Sequence, residues 1–397
     1  MRSFTELINV FFGNYSEDYC RRKGLFLAYD STGELVAQTR QIVNYNQELV
    51  KLDAGYILGG WEEIVIADRP ELKDVLLDIL RDNNWQQVRL KTIIQGLVLG
   101  TTAIKIGKDE DGKIRIGTVP LSGALITKLD DGWDIEWVTY VNNKAIKYRE
   151  IFTDKAYTRF KDGKMETSIP NQYGVPLMFM VANRTSVNPD LEDWQGEAEW
   201  ETILEQVDEI NSIHSRISRI EDRYANPHII VTGASSAELK KDANVWYNPN
   251  KEGHISILEY QGNVIDSMLR RIELLEVIVK NKMPELMLQD ISATASGYAL
   301  KLKLQSLKKK INGLKDTYFR IFEKIFELII LMETGQHVDV SYKTEEAIPE
   351  DTDSILNEMI TLNGIGVVSL RTIADSLGYD YDEERQMIAD EYRDASA

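Results

Sequence analysis

The feature that most limits how this chain can fold is an unbroken apolar seam between residues 298 and 333. Apolar side chains recur there in steps of four and three over four heptads, which is the spacing of a coiled-coil contact. The seam consists of Leu300, Leu304, Leu307, Ile311, Leu314, Tyr318, Ile321, Ile325 and Leu328. A helix of this length spans about 50 Å. We therefore predict one long helix whose apolar side is covered by other elements of the chain or by adjacent subunits.

Lysines flank this seam on both sides. With Leu300 at heptad position d, three lysines take position e and two take position g; they are Lys301, Lys308, Lys315, Lys303 and Lys310. Two interpretations stay open. The lysines pair with acids of a neighbouring helix, such as Glu205, Asp208 or Glu209. Alternatively, some of them face nucleic-acid phosphates, and the candidates for that role are Lys301, Lys303, Lys308 and Lys310.

Charge is distributed unevenly along the 397 residues. The formal net charge is -18. Residues 341–397 carry 14 acidic and four basic side chains. Residues 296–320, by contrast, carry seven basic side chains and one acidic one. Acidic walls repel phosphate, so an acidic surface with a basic band suits a passage through which DNA slides without sticking. The alternative is that the acidic C-terminal region only keeps the protein soluble.

The remaining patterns predict an α+β fold that is mainly helical. Residues 1–100 are predicted to be largely helical, whereas Asp-Gly pairs in residues 101–182 separate short apolar runs and indicate antiparallel hairpins. Helices are expected at about 198–225 and 263–284, with short strands between them at 228–232 and 255–260. Pro284 ends the second of these helices. Short acidic helices are expected from about residue 353 to the last residue.

Motifs for catalysis, cofactors or metals are missing from the sequence. Residues 96–102 lack the Gly-Lys-Ser/Thr ending of a phosphate loop, and no Gly-x-Ser-x-Gly nucleophile motif occurs. The four histidines are scattered without metal-site spacing. We therefore predict a protein that is not an enzyme and that binds no cofactor and no metal.

The sequence also favours assembly inside a cell. The single cysteine, Cys20, cannot form an internal disulfide. The N-terminus lacks the layout of a signal peptide, and the longest apolar run, residues 328–332, is far shorter than a membrane span. The expectation is a protein made in the cytoplasm that contacts no membrane.

Several motifs, taken in order, resemble those of portal proteins of tailed bacteriophages, the head-to-tail connector family, especially from long-tailed phages of Gram-positive hosts. Ser296-Gly297-Tyr298-Ala299-Leu300-Lys301 is the most specific and is similar to the start of the family's long channel helix. The other matching stretches are residues 46–59, residues 96–106, Gly174-Val175-Pro176 followed by Asn183, and residues 207–211 with their Asp-x-x-Asn pattern. Together they cover nearly the whole chain.

The resemblance implies a portal fold with wing, stem, clip and crown regions and a long helix bordering a central channel. By position it implies a wing at 1–196, stem helices at 197–225 and 263–285, a clip at 226–262, a tunnel loop at 286–297, the long helix at 298–340 and an acidic crown at 341–397. The tunnel loop would present small side chains to DNA, although an ordinary connector is the alternative. Its DNA-facing residues would be Gln289, Ser292, Ala293, Thr294, Ala295, Ser296 and Gly297. The subunit contact would be formed by Leu300, Leu304, Leu307, Ile311 and Leu314.

The function implied by the resemblance is a ring, usually of twelve subunits, at one capsid vertex. Double-stranded DNA would pass through it without sequence preference during packaging and ejection. The implied partners are other copies of the chain, the large subunit of terminase, a head-completion or adaptor protein, the scaffold and the major capsid protein. The ring would nucleate procapsid assembly in the host cytoplasm and remain in the virion. The alternatives are another head–tail adaptor or, from the acidic segments, a metal-dependent nuclease or nucleotide hydrolase.

Overall fold

The computed structural model describes residues 4–25, 27–29, 35–37, 43–141, 144–186, 191–225, 229–232, 245–248, 254–257, 263–285, 297–344, 359–376 and 380–394. The chain divides into two compact units, Met1–Glu345 and Glu346–Ala397. Helices and antiparallel sheets are both present, with helix the commoner of the two, so the predicted α+β, mainly helical class is confirmed.

The described residues among the first hundred contain five helices. They are α1 (Phe4–Phe11), α2 (Glu17–Lys23), α3 (Tyr45–Leu58), α4 (Leu72–Asp82) and α5 (Trp85–Leu99). The Ser16 side chain caps α2 by accepting the backbone N–H of Tyr19, and Gly24 ends the helix with a φ of +66°. Gly100 ends α5 in the same left-handed region, with a φ of +76°.

Strands also occur in this region, where the sequence predicted mainly helix. β1 (Leu27–Tyr29) and β2 (Leu35–Ala37) pair antiparallel, and β3 (Glu62–Val65) follows α3. These runs are only three or four residues long, which is too short for a period-2 pattern to stand out from a helical one.

Residues 101–182 form two antiparallel sheets. One has three strands in the order β11-β4-β5, and the other has five in the order β10-β9-β8-β7-β6. The strands are β4 (Thr101–Lys108), β5 (Ile114–Thr118), β6 (Leu125–Leu129), β7 (Gly132–Val141), β8 (Lys144–Thr153), β9 (Ala156–Lys161), β10 (Lys164–Pro170) and β11 (Met178–Ala182). The ion pair between Lys105 and Glu150, at 2.8 Å, joins the two sheets. The predicted antiparallel hairpins are present.

The Asp-Gly pairs serve two different physical purposes. Gly112 and Gly163 each have a φ of +77°, so they supply the left-handed backbone that their hairpin turns require. Gly132 is already within β7 and has no positive φ. A Cβ at Gly132 would lie 1.8 Å from the Phe152 carbonyl oxygen, so glycine is required there by the close approach of β8.

Three helices dominate the rest of the first unit. A 3₁₀-helix (Glu199–Ile203) leads into α6 (Leu204–Ala225), and α7 (Asn263–Lys282) packs against α6. Between them lies a mixed sheet of β12 (Ile229–Thr232), β13 (Val245–Asn248) and β14 (His254–Ile257), with β12 in the centre. The sequence predicted two of these strands but not β13. The long helix α8 (Gly297–Thr334) occupies the predicted position.

The core of the first unit is built around α8. Its side chains Leu307, Ile311, Tyr318, Phe322 and Phe326 are fully buried. Helix α8 contacts α3, α4, β5 and β11, and Trp85 of α5 packs edge-on against two of its aromatic rings at centroid distances of 4.9 and 5.1 Å. Burying each such side chain contributes about 1.5–3 kcal/mol to stability. The covering elements for this stretch of the seam belong to the same chain.

The last strand of the first unit, β15 (Ser341–Thr344), returns to the N-terminal part of the chain and pairs antiparallel with β3. A buried polar contact reinforces this pairing, because Arg89 of α5 hydrogen-bonds both Glu62 of β3 and the hydroxyl of Tyr342 on β15. Segments that are far apart in sequence therefore close one side of the core.

The second unit is helical in its described residues. Residues 359–364 form a short helix, and α9 (Leu370–Ser376) and α10 (Tyr381–Asp394) follow. An ion pair of 2.7 Å between Arg371 and Asp382 links α9 to α10. Short helices in an acidic C-terminal region are what the sequence predicted.

Candidate functional site

The side chains of the apolar seam on α8 are not all buried to the same extent. Leu307 and Ile311 are fully buried and Leu314 is 4% exposed within the single chain. These three side chains therefore pack inside the subunit, and this corrects their expected place in a contact between subunits. Leu304 is half-buried. The side chain of Leu300 lies outside the described residues.

The lysines beside the seam occupy different surroundings. Lys310 is half-buried, and its ammonium pairs with three carboxylates of its own chain. Lys308 is half-buried, and Lys315 is buried with its ammonium 3.1 Å from the Thr344 hydroxyl. The side chains of Lys301 and Lys303 lie outside the described residues. Of the two interpretations, pairing with acids therefore holds for Lys310.

The acids that bind Lys310 are not those suggested from the sequence. The Nζ atom of Lys310 lies 3.0 Å from Asp53 Oδ2 on α3, 2.9 Å from Glu199 Oε1 on the 3₁₀-helix and 2.6 Å from Glu285 Oε1 just after α7. By contrast, Asp208 accepts hydrogen bonds from the hydroxyls of Tyr15 and Tyr19, and Glu209 pairs with Arg271 at 3.1 Å. The lysine thus joins four segments of the chain through buried ion pairs.

Burial and charge both act on the titratable groups of this cluster. Burial raises the pKa of Asp53 well above its usual range, and the attraction of Lys310 only partly opposes this shift. Burial alone would lower the pKa of Lys310, but the three carboxylates raise it above the ordinary lysine value. The hydroxyl of Tyr318 donates a 2.7 Å hydrogen bond to Asn183, whose amide in turn donates to Glu199 at 3.2 Å. The network therefore extends across α8 to the end of β11.

Sequence reasoning missed this cluster, although one signal was present. Asp53 lies four residues from both Leu49 and Ile57, so it shares the buried face of α3 with them. A carboxylate on an apolar helix face needs a partner, because burying an unpaired charge is strongly unfavourable. The identity of the partner depends on the tertiary fold, which the pattern along α3 does not contain.

Next to the cluster an open cavity of about 840 Å³ is lined by further cations, Arg184, Lys282 and Lys309. Lys282 donates to the Thr202 carbonyl at 2.8 Å and to the Gln206 side chain at 3.0 Å. Lys309 is exposed. Lys310 and Glu199 line the same cavity. The basic surface beside α8 thus includes Lys309, which was not among the predicted DNA-facing lysines.

The predicted tunnel loop falls almost entirely outside the described residues. Gln289, Ser292, Ala293, Thr294, Ala295 and Ser296 all lie there. Gly297 is the first residue of α8. The described chain before this stretch ends at Glu285, one of the three acids bound to Lys310.

Helix α7 carries an exposed apolar strip that the sequence analysis did not single out. Leu274, Val277 and Ile278 are 60%, 54% and 40% exposed; we call them the outer apolar face of α7. The residues that pack inward, such as Leu275 and Val279, lie on a different side of the helix. Apolar residues on more than one side of a helix indicate a second partner, and that signal could have been read from the sequence.

In the described part of the chain, no helix is both long enough and apolar enough to cross a membrane. Within the same residues, no group of three or more His, Cys, Asp or Glu side chains is arranged to hold a metal ion.

Comparisons with known proteins give one extensive match in sequence. The profile of the family described as "Phage portal protein, SPP1 Gp6-like" matches residues 15–397. No curated protein matches the chain. Among solved structures, one described as "Neck of empty GTA particle computed with C6 symmetry" has 12% sequence identity and a TM-score of 0.49, covering 96% of this chain and 94% of that chain.

Proposed function

The chain belongs to the SPP1 Gp6-like family of phage portal proteins, and from that premise we propose that its copies form the closed ring through which DNA enters and leaves a capsid. The ring acts at one vertex, where DNA passes during packaging and again during ejection. The family match over residues 15–397 is the observation that carries this proposal.

The outer apolar face of α7 supports assembly into a ring. Leu274, Val277 and Ile278 place three large apolar side chains on the surface of a single subunit, where water contact is unfavourable. A contact that repeats from one subunit to the next around an axis closes a ring. We assign the subunit contact to this face, together with Leu304, in place of the buried residues Leu307, Ile311 and Leu314. The proposed number of subunits is twelve.

We keep for the regions of the portal the residue ranges that the family resemblance implies. In this proposal residues 1–196 form the wing, 197–225 and 263–285 the stem, 226–262 the clip, 286–297 the tunnel loop, 298–340 the channel-bordering helix and 341–397 the crown. The small side chains of the tunnel loop line the narrowest part of the channel. The acidic composition of the chain keeps DNA from adhering during passage.

The proposed partners act at different regions of the ring. The large subunit of terminase and, later, a head-completion or adaptor protein dock on the clip. The scaffold and the major capsid protein contact the ring during assembly, which the portal nucleates in the host cytoplasm. The finished ring stays in the virion.

Electron microscopy of the purified full-length chain tests the proposal. A ring of about twelve subunits with a continuous central bore is expected. Leu274→Asp and Val277→Asp should prevent ring formation while leaving a folded monomer, because both positions are exposed in the single chain. Leu125→Asp is the matched control, since Leu125 is also exposed and lies on β6, far from α7 in sequence; this variant should still form rings.

Two outcomes favour the rival functions. A symmetric particle without a continuous bore would favour another head–tail adaptor. Hydrolysis of DNA or nucleotide by the purified chain that depends on a divalent metal would favour a nuclease or a nucleotide hydrolase. If Leu274→Asp and Val277→Asp still form rings, the outer apolar face of α7 is not part of the subunit contact.

A further inference from the structure

The cluster around Lys310 contains more negative than positive charge. Three carboxylates, those of Asp53, Glu199 and Glu285, lie within 3.0 Å of one ammonium group. Their side chains are 0% exposed in all three cases. The only other described cation paired with them is Arg184, at 3.4 Å from Glu199. If every group were ionised, three negative charges would face two positive ones in a buried site, and burying an uncompensated charge is strongly unfavourable.

The hydrogen bonds of the cluster are also incomplete. Asp53 Oδ1 and Glu285 Oε2 are buried, and neither has a hydrogen-bond partner among the described residues. A carboxylate oxygen without a donor is poorly stabilised away from water. A proton on one of these oxygens would turn an acceptor into a donor. It would also bring the cluster to charge balance.

We propose that this cluster is a proton-binding site, in which the three carboxylates hold one proton near neutral pH while Lys310 stays charged. The ligand is a proton, and the site joins α3, the 3₁₀-helix, the end of α7 and α8. Asp53 carries the proton, because its buried Oδ1 has no hydrogen-bond partner among the described residues and burial raises the pKa of this carboxyl above its usual range. This inference concerns the single subunit and does not depend on the ring.

The other groups facing the site do not compete for this proton. Tyr56 on α3 and Tyr318 on α8 have their pKa values raised by burial and by the nearby carboxylates, so both phenols stay neutral. Asn183 has no titratable proton. The proton can exchange with solvent, because the Lys310 side chain is 19% exposed and lines the adjacent cavity.

The direction of the pH effect follows from the raised pKa of Asp53. An aspartate in the unfolded chain loses its proton near pH 4. The folded chain keeps that proton to a higher pH, so it binds more protons than the unfolded chain above about pH 4. The contribution of Asp53 to stability is therefore greatest at low pH. It falls as the pH rises from about 4 towards the pKa of the folded state.

Isotope-edited infrared spectroscopy of the full-length chain detects the proton directly. A protonated carboxylic acid has a C=O stretch well separated from that of a carboxylate. At pH 7 we expect one such band, which shifts when aspartate is labelled with ¹³C and which is lost in Asp53→Asn. Asparagine has the same shape, keeps an acceptor for Lys310 and replaces the acid O–H by an N–H donor. Absence of the band in the wild-type chain, a band that shifts with labelled glutamate instead, or a band that survives Asp53→Asn would overturn the proposal.

Thermal unfolding between pH 5 and pH 8 gives a second, independent measurement. The melting temperature of Asp53→Asn should depend less on pH than that of the wild type and should be equal or higher at pH 8. Lys310→Met should lower the melting temperature most at pH 8, where the uncompensated charge is greatest, and adding Asp53→Asn to it should restore part of the loss. Wild type and Asp53→Asn with the same pH dependence would contradict the proton site. Asp18→Asn, at an exposed carboxylate in a surface ion pair, is the matched control and should leave the pH dependence unchanged.

Discussion

The phenol of Tyr318 on α8 lies directly over Gly96 on α5. A Cβ at Gly96 would stand 2.0 Å from the Tyr318 hydroxyl oxygen and 2.9 Å from the ring carbon that bears it. The ring has no room to move away, because Tyr318 is fully buried and its hydroxyl donates to Asn183. Gly96, the first residue of the stretch that lacks the ending of a phosphate loop, is thus explained by the close packing of two helices.

Gly96→Ala should therefore destabilise the protein by about 1–3 kcal/mol, since the added methyl group overpacks the core. Denaturant unfolding monitored by circular dichroism measures the change. Gly55→Ala is the matched control, because it adds the same methyl group to a helical glycine where nothing lies within 4 Å; it should be neutral or slightly stabilising. Equal effects of the two substitutions would contradict the packing argument.

Leu307→Asp should unfold the subunit itself and not merely separate subunits. Leu307 is fully buried within the chain, so the substitution places a charge in the core and removes its packing, a loss of at least about 3 kcal/mol. Circular dichroism and limited proteolysis would show the loss of structure. Gln305→Asp, on the exposed side of the same helix, should remain folded. A folded monomer of Leu307→Asp would return this residue to the subunit contact.

The thiol of Cys20 should resist alkylation in the folded protein. Cys20 is fully buried, and burial together with the charge of Asp208 raises its pKa to about 11. The reactive thiolate is therefore suppressed at pH 8. Because the unfolded thiol ionises at lower pH than the folded one, the contribution of Cys20 to stability is complete below about pH 8.5 and is lost as the pH rises towards 11. Labelling with iodoacetamide, with and without urea, measures the protection; rapid labelling of the native protein would contradict it.

Large side chains in the proposed tunnel loop should obstruct DNA without preventing assembly. Ala293→Trp combined with Ala295→Trp is expected to form rings of normal size, because the loop is separate from the proposed subunit contact. The same double variant should reduce DNA packaging in vitro or in phage complementation. Ala293→Ser combined with Ala295→Ser keeps the side chains small and should package normally. Normal packaging by the tryptophan variant would show that this loop does not set the width of the channel.

The elements that the sequence predicted well are those defined by local patterns. The heptads of α8 and the Asp-Gly turns at Gly112 and Gly163 follow from spacing and from backbone angles that only a few residues adopt. The heptads also predicted that one side of α8 is covered. They did not identify the covering element, because spacing along one helix says nothing about whether its partner lies in the same subunit.

Features that depend on distant parts of the chain escaped sequence reasoning. The cluster around Lys310 takes its acids from α3, the 3₁₀-helix and the end of α7, so no single segment contains a recognisable motif. The sequence contains a weak signal for the outer apolar face of α7, because Leu274 and Val277 are apolar but fall outside the inward-facing pattern of the helix. Its meaning depended on knowing which side packs against α6.

The pairing of β3 with β15 constrains the order of events during synthesis. Val65 pairs with Ser341, so a ribosome must add 276 residues before β3 can acquire its partner. At about 5–20 residues per second this takes on the order of 15–55 s. Throughout that interval the nascent chain exposes an unpaired strand edge, which can pair with another incomplete chain. Translation that pauses before residue 341 therefore leaves each growing subunit open to aggregation with its neighbours on the same message.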